Sequence, residues 1–378
     1  MRGKHSKSKR MIRDEEEMPK ALKKENKEYE KRKGKAKKKK NKGLRIFGKI
    51  ILVLVIILAI LIATIFWFVN SKLGKMQKVE INEAELGISE QVDENLSEYR
   101  NIALFGVDSR ADDYGVGNRS DCIIIASINN KTKEIKLISV YRDTYVQIEG
   151  HGLDKITHAY SYGEAPLAIK TLNKNLDLNI KEFVTVNFDS VAEAVDELGG
   201  IQLSITAEEI KYINGYIDET SKVTGKASKH ITSAGTYTVD GVQAVAYSRI
   251  RYTSGGDYKR TERMRTVIEA MLKKLKTKSL TEINSFADAI LPQVYSNISL
   301  TDIISLAPDV AKYNVTESIG WPYNTKGITL DRWYGIPVTL ESNVIQLHQE
   351  AFGESEYIPS ETVKSISQSI INKTGYTK

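Results

Sequence analysis

From Asn101 onward the chain falls into apolar runs of strand length: NIALFGV (101–107), CIIIASI (122–128), EIKLISVY (134–141), FVTVNF (183–188) and IQLSI (201–205). Several are apolar at consecutive positions, the pattern of strands covered on both faces by helices. Between them, APLAIKTLNKNL (165–176) and DSVAEAVDELGG (189–200) repeat apolar residues at i, i+3 and i+4. The second reads as a helix capped by Asp189 and closed at Gly199. Further on, TVDGVQAVAYSRIR predicts a short helix, followed by a Gly-Gly loop and a long helix from about Tyr258 to Leu275 with Asp257 as its cap. Strands alternating with helices predict an α/β sandwich.

A different pattern precedes this. Residues 50–69, IILVLVIILAILIATIFWFV, carry no charge. Twenty apolar residues at about 1.5 Å each match a hydrocarbon core of roughly 30 Å, so the segment is expected to be a transmembrane helix. A cleaved signal peptide fits less well, because its apolar stretch is shorter and no small-residue cleavage site follows Val69. Trp67 falls where an interfacial aromatic belongs.

Charge sharpens the division. Residues 1–49 hold 21 Lys and Arg against 7 Asp and Glu, whereas the remainder holds 34 against 41. The basic flank is expected to be a disordered cytoplasmic tail that meets anionic lipid of the bilayer and sets topology, and not a nucleic-acid binder. Residues 70–378 are then extracytoplasmic: a connecting segment over 70–100, a catalytic-type domain over 101–355 and a polar tail over 356–378. The single cysteine, Cys122, excludes an intramolecular disulfide and reads as a core thiol.

Charged clusters fall beside the apolar runs. GVDSR places Asp108 and Arg110 after the first; NRSDC places Arg119 and Asp121 before the second; YRDTY places Arg142 and Asp143 after the third. Ligands of open α/β sheets bind outside the carboxyl ends of strands, so Asp108 and Arg142 can converge there. Two carboxylates from separate segments are enough protein ligands for Mg²⁺ shared with a substrate phosphate. The same residues could equally cap turns, with Asp108 and Asp121 paired to Arg110 and Arg119. Arginine usage tilts the balance. No Arg but eight Lys lie between Asp143 and Ser248, and then SRIRYTSGGDYKRTERMR brings Arg249, Arg251, Arg260, Arg263 and Arg265. The planar guanidinium binds phosphate bidentately and tolerates burial, so the pattern suggests a pyrophosphate site. Lys155 is either a loop charge or a further phosphate ligand. Nucleophile elbows, zinc-protease motifs and nucleotide-binding glycine loops are absent from the sequence.

The stretches NIALFGVDSR, NRSDCIIIASIN, ISVYRDTYV, KITHAYSYG, VDELGGIQLSI, AVAYSRIRY and GDYKRTERMRTVIEA, collinear over roughly 101–270, resemble the LytR-CpsA-Psr family of cell-wall glycopolymer ligases. The resemblance implies an α-β-α sandwich around a mixed central sheet, with a polyprenyl chain held between sheet and helices. It implies a phosphotransferase that moves a glycopolymer from its polyprenyl-pyrophosphate carrier onto peptidoglycan. The family's metal carboxylates map to Asp108 and Asp121, with Mg²⁺ as the ion. Its pyrophosphate-binding arginines map to Arg119, Arg142, Arg249, Arg251, Arg260 and Arg263, and Asp143 orients Arg142. Tyr141, Thr157 and Met264 depart from the usual Pro, Asn and Gln, and the last removes a hydrogen-bonding amide. Hydrolysis of the lipid pyrophosphate and a non-enzymatic membrane regulator are the alternatives.

Overall fold

The computed structural model describes residues 19–20, 23–25, 27–33, 77–109, 114–299, 302 and 309–377. The chain divides into two compact units, residues 1–70 and Ser71–Lys378. In the first, the described residues from 20 to 33 are helical. The predicted span 50–69 lies outside the described residues, among which no helix is long and apolar enough to cross a membrane.

The second unit is a mixed sheet covered by helices. In chain order its elements are β1 (Gln77–Lys78), α1 (Glu90–Asn95), β2 (Tyr99–Val107), β3 (Ser120–Asn129), β4 (Glu134–Val140), β5 (Tyr145–Ile148) and β6 (Gly152–Lys155). Then come α2 (Ile156–Leu176), β7 (Glu182–Val186), α3 (Phe188–Glu197), β8 (Ile201–Ile205), α4 (Ala207–Thr224), β9 (Gly235–Val239) and α5 (Gly241–Arg249). The rest comprises α6 (Gly256–Leu275), α7 (Leu280–Ile290), β10 (Tyr295–Ser296), β11 (Asn314–Trp321), β12 (Thr325–Thr329), β13 (Trp333–Pro337), α8 (Leu340–Leu347) and α9 (Glu361–Thr374). The sheet order is β1-β10-β7-β2-β3-β4-β11, with β5–β6, β8–β9 and β12–β13 as separate hairpins. The five apolar runs all become strands, though β8 joins its own hairpin and not the main sheet.

Strand alternation loads both faces of the sheet. Ala103, Phe105, Ile123, Ile125 and Ile138 face a core built with α2, α8 and α9. Ile102, Ile124, Ala126, Ile135 and Leu137 face Met264, Ile268 and Leu272 of α6. A third core joins β8–β9 to α4, α5 and α6 through Leu203, Val239, Ile213, Ile217, Ala246 and Val267.

Three local expectations are corrected. The cap of α3 is Asn187, whose side chain accepts the Ser190 N–H at 2.9 Å, and Asp189 lies inside the first turn. Helix α6 begins at Gly255 in a left-handed conformation (φ 87°), and Asp257 pairs instead with Arg260 one turn on. The polar tail 356–378 contains α9, whose Val363, Ile366 and Ile370 are buried at helical spacing. The many Ser, Thr and Lys there occupy the opposite face, which is why composition alone hides the helix. The predicted start at Ala165 does correspond to a break: Gly163 and Glu164 leave helical geometry within α2, and Pro166 then sits in the first turn of the second half, where it lacks only an N–H that would have no helical partner.

Helices α3 and α5 cross at Gly241, where a Cβ would stand 2.0 Å from the Ala192 carbonyl oxygen. Gly241→Ala should therefore push the two helices apart and lower stability by about 1–3 kcal/mol. Urea unfolding of the wild type and variant measures the difference.

Candidate functional site

The chemistry gathers at one edge of the sheet because of strand direction. Strand β3 runs antiparallel to β2 and β4, so the C-termini of β2 and β4 and the N-terminus of β3 share an edge. A register shift between Gly106 and Val107 pairs Val107 with Ser120 and leaves Asp108 and Asp121 at that edge.

A crevice of about 610 Å³ opens there, lined by Asp108, Asp121, Arg249, Arg251, Arg260 and, from α4, Tyr212 and Tyr216. Asp121 is its electrostatic centre. Its carboxylate lies 2.6 Å from Arg142 Nη1, 3.5 Å from Arg251 Nη2 and 3.9 Å from Arg260 Nη1. These guanidinium groups come from the β4 terminus, the α5–α6 loop and α6. Arg142 also lies 3.8 Å from Asp143, too long for a hydrogen bond. Asp143 accepts instead from Lys155 at 2.7 Å. Lys155 therefore sits one carboxylate away from Arg142 and does not line the crevice.

The arginines are not fully satisfied. Arg142 Nε and Arg260 Nε are buried without hydrogen-bond partners, and Asp121 Oδ1 meets Arg142 only off-axis. Burial pulls Arg260 below the usual guanidinium range; Asp257 opposes this, while Arg251 and Arg142 reinforce it. Unpaired buried donors of this kind cost free energy that an arriving anion removes.

Among the predicted ligands Arg142, like Lys155, is not part of the crevice lining and meets it through Asp121, and two more stand elsewhere. Arg119 is exposed and does not line the crevice. Arg263 is 5% exposed and turned inward. It donates to Glu209 Oε1 at 2.6 Å, the Ile250 carbonyl at 3.0 Å and Thr253 Oγ1 at 2.7 Å. It clamps α4 and the 250–255 loop to α6, a correction to its reading as a pyrophosphate ligand. Arg265 is likewise inward, donating to the Ile319 carbonyl at 3.2 Å. Arg249 does reach the crevice, braced by Glu219 at 3.2 Å, by Thr220 at 3.1 Å and by the rings of Phe188 and Tyr216.

Sequence reasoning missed α4, which supplies Lys211, Tyr212, Gly215, Tyr216 and Glu219 to the wall. Its signal was present in the Thr206–Glu209 capping box and the i, i+4 pair Ile213 and Ile217.

Behind the crevice lies an apolar chamber of about 270 Å³ between the sheet and α3, α5, α6 and α7, with Leu104, Val184, Val191, Ile268, Met271 and Phe286 among its walls. Asp121, Phe188 and Met264 belong to both spaces. Cys122 faces the chamber, and burial pushes its thiol up to about 12, which suits a wall and not a nucleophile.

Such a site, guanidinium groups at the strand ends of a mixed sheet beside an apolar chamber, is the kind an α/β protein uses for an amphiphile with a multiply charged anionic head. The chain belongs to the LytR_cpsA_psr family, whose model matches residues 64–339. It is 32% identical over 275 residues to the polyisoprenyl-teichoic acid–peptidoglycan teichoic acid transferase TagU of Enterococcus faecalis, across 71% of this chain and 84% of that relative. It is also 32% identical over 233 residues to the corresponding transferase TagT of Bacillus subtilis, across 60% of this chain and 70% of that one. The solved structure of TagT bound to LIIa-WTA aligns with a TM-score of 0.52 at 26% identity, covering 74% of this chain and 92% of the other.

Arg263→Ala would leave Glu209 buried and unpaired, so it should cost about 3–5 kcal/mol of stability. Arg249→Ala, at the open crevice, should cost far less. Parallel denaturant titrations of the two variants separate the clamp from the ligand-facing arginine.

Proposed function

We propose that this chain is a membrane-anchored phosphotransferase that moves a glycopolymer from a polyprenyl-pyrophosphate carrier onto peptidoglycan. The carrying observation is the pair of buried, unpartnered guanidinium nitrogens, Arg142 Nε and Arg260 Nε, grouped around Asp121 next to an apolar chamber. The relatives are teichoic acid transferases, which favours transfer over hydrolysis or regulation. Residues 50–69 would anchor the chain, with the tail 1–49 cytoplasmic and the second unit extracytoplasmic.

In this reading the polyprenyl chain enters the apolar chamber and its pyrophosphate meets Arg142, Arg249, Arg251 and Arg260. An acceptor sugar hydroxyl attacks the phosphorus that carries the glycopolymer. The new oxygen–phosphorus bond forms as the bond to the bridging oxygen breaks, and polyprenyl phosphate leaves. The guanidinium groups stabilise charge on the departing phosphate, the main task in phosphoryl transfer. Where it is not committed to metal, Asp121 is the nearby carboxylate to take the hydroxyl proton. Asp121 is the close partner that holds Arg142, while Asp143, fixed by Lys155, adds a longer-range attraction.

Among the described residues no group of three or more His, Cys, Asp or Glu gathers to cage a metal. Asp108 and Asp121 nevertheless open onto the same crevice as hard oxygen donors, and the buried Oδ1 of Asp121 lacks an aligned hydrogen bond. This donor set fits a Mg²⁺ that completes its shell with water and substrate phosphate. Bound there, Mg²⁺ would neutralise charge on the pyrophosphate.

Arg142→Lys keeps the charge but loses the planar fork, and transfer should fall roughly ten- to hundredfold, or about 1.5–3 kcal/mol. Transfer of labelled glycopolymer from lipid pyrophosphate to peptidoglycan oligomers measures it; an unchanged rate would assign Arg142 to the fold. Chelation by EDTA should abolish wild-type transfer, and added Mg²⁺ should restore it but should not rescue Asp108→Ala. Full activity in EDTA would remove the metal from the scheme.

A further inference from the structure

Resting on the transfer reading above, we infer that the first sugar of the donor glycopolymer, the one joined to the pyrophosphate, lies against helix α4 at Gly215, with Tyr212 and Tyr216 beside it.

Gly215 stands in the middle of α4, where glycine is the least favourable residue after proline because it gives up the most backbone freedom. Each other glycine within a helix of the described residues has a reason inside the chain. A Cβ on Gly163 would stand 2.7 Å from the Leu167 side chain, one on Gly241 would stand 2.0 Å from the Ala192 carbonyl oxygen, and Gly256 takes a left-handed φ of 52°. Gly215 has no such reason. Its φ is not left-handed, and a Cβ there would meet nothing within 4 Å. The open space is the crevice itself, which Gly215 lines. The missing side chain leaves a patch of bare helix backbone turned toward the ligand.

The patch is framed on one face of the helix. Positions 212, 215, 216 and 219 recur at helical spacing beside the buried stripe of Glu209, Ile213 and Ile217, and all four line the crevice. Tyr212 and Tyr216 are half-buried, and among the described residues no protein group hydrogen-bonds their hydroxyls. Tyr252, 72% exposed, extends the aromatic surface from the loop before α6, its ring centroid 6.0 Å from that of Tyr212. The anion site is next to the patch: the guanidinium carbon of Arg249 lies 5.7 Å from the centre of the Tyr216 ring.

The arrangement of the two spaces selects the occupant. With the lipid in the apolar chamber, α4 is left for the group on the other phosphate, because its residues line the crevice and none lines the chamber. A diphosphate, about the bulk of five waters, fills roughly a quarter of the crevice's 610 Å³ and leaves room for a sugar. A pyranose presents weakly positive C–H groups on its flat face and hydroxyls around its rim. The face suits tyrosine rings and bare backbone, and the rim suits the phenol hydroxyls and the Lys211 ammonium. A side chain at position 215 would take the place of that face. Contacts gathered on the sugar, away from the reacting phosphorus, orient the head for transfer.

The test uses the full chain in detergent micelles and two lipids, octaprenyl pyrophosphate and the same lipid carrying one N-acetylglucosamine on its pyrophosphate. Calorimetric titration gives the affinity for each. Wild type should bind the sugar-bearing lipid more tightly, and Gly215→Leu should weaken that binding roughly tenfold while leaving the affinity for the sugar-free lipid unchanged. Gly215→Ala should cost less affinity and raise Tm by about 1–3 °C, since alanine is the better helix former and meets no neighbour. Tyr212→Ala should weaken only the sugar-bearing lipid, and Tyr212→Phe should recover most of the loss. Unchanged affinity of Gly215→Leu for the sugar-bearing lipid would overturn the subsite while leaving the transfer reading intact. An equal loss for both lipids would also overturn it, since α4 would then serve the arginines. Wild-type chain that binds the sugar in a Gly215-dependent way yet transfers nothing to peptidoglycan oligomers would support the subsite and refute the transfer reading.

Discussion

One carboxylate holds the site together. Asp121 faces guanidinium groups from three separate elements at 2.6, 3.5 and 3.9 Å, and without it their mutual repulsion in a poorly solvated pocket would drive them apart. Asp257 adds a second carboxylate at Arg260, 2.9 Å away, yet Arg142 Nε and Arg260 Nε still lack hydrogen-bond acceptors. The fold keeps that deficit in place: the β2–β3 register fixes Asp121, β4 delivers Arg142, and α6 packs Met264 and Ile268 on the sheet so that Arg260 arrives from above. Strain of this electrostatic kind, held by a rigid core, is what makes a pocket ready for a charged ligand before the ligand comes.

Much of this was legible in the chain. All five apolar runs are strands, four of them in the main sheet, where cover on both faces leaves few polar positions to blur the pattern; the remaining strands, in the hairpins and toward the sheet edges, were not located. The change from lysine to arginine after Ser248 pointed to the crevice, and Arg249, Arg251 and Arg260 do line it. What the sequence could not separate was an arginine that serves a ligand from one that serves the fold. Arg260 and Arg263 are three residues apart on one helix and look alike in a motif. Their difference lies in Glu209, 54 residues upstream of Arg263, and in a loop whose carbonyl and hydroxyl happen to face one of them. Helix α9 escaped notice for a related reason: three apolar residues at helical spacing carry little weight in a polar segment until a partner surface is known.

The inward arginine has its own role in the architecture. By tying α4 and the 250–255 loop to α6, Arg263 sets the aromatic wall of the crevice against the helix that carries Arg260. Tyr212, Tyr216 and the arginines are thereby parts of one rigid body.

The crevice and the apolar chamber share Asp121, Phe188 and Met264. A ligand with both a tail and a head therefore behaves as a bivalent one. Once the tail is housed, the head is confined near the arginines at an effective concentration in the millimolar range or above. Neither contact then has to be tight by itself. When a reaction shortens the head, the carrier keeps only part of its hold, so turnover and release become linked through a boundary three side chains wide.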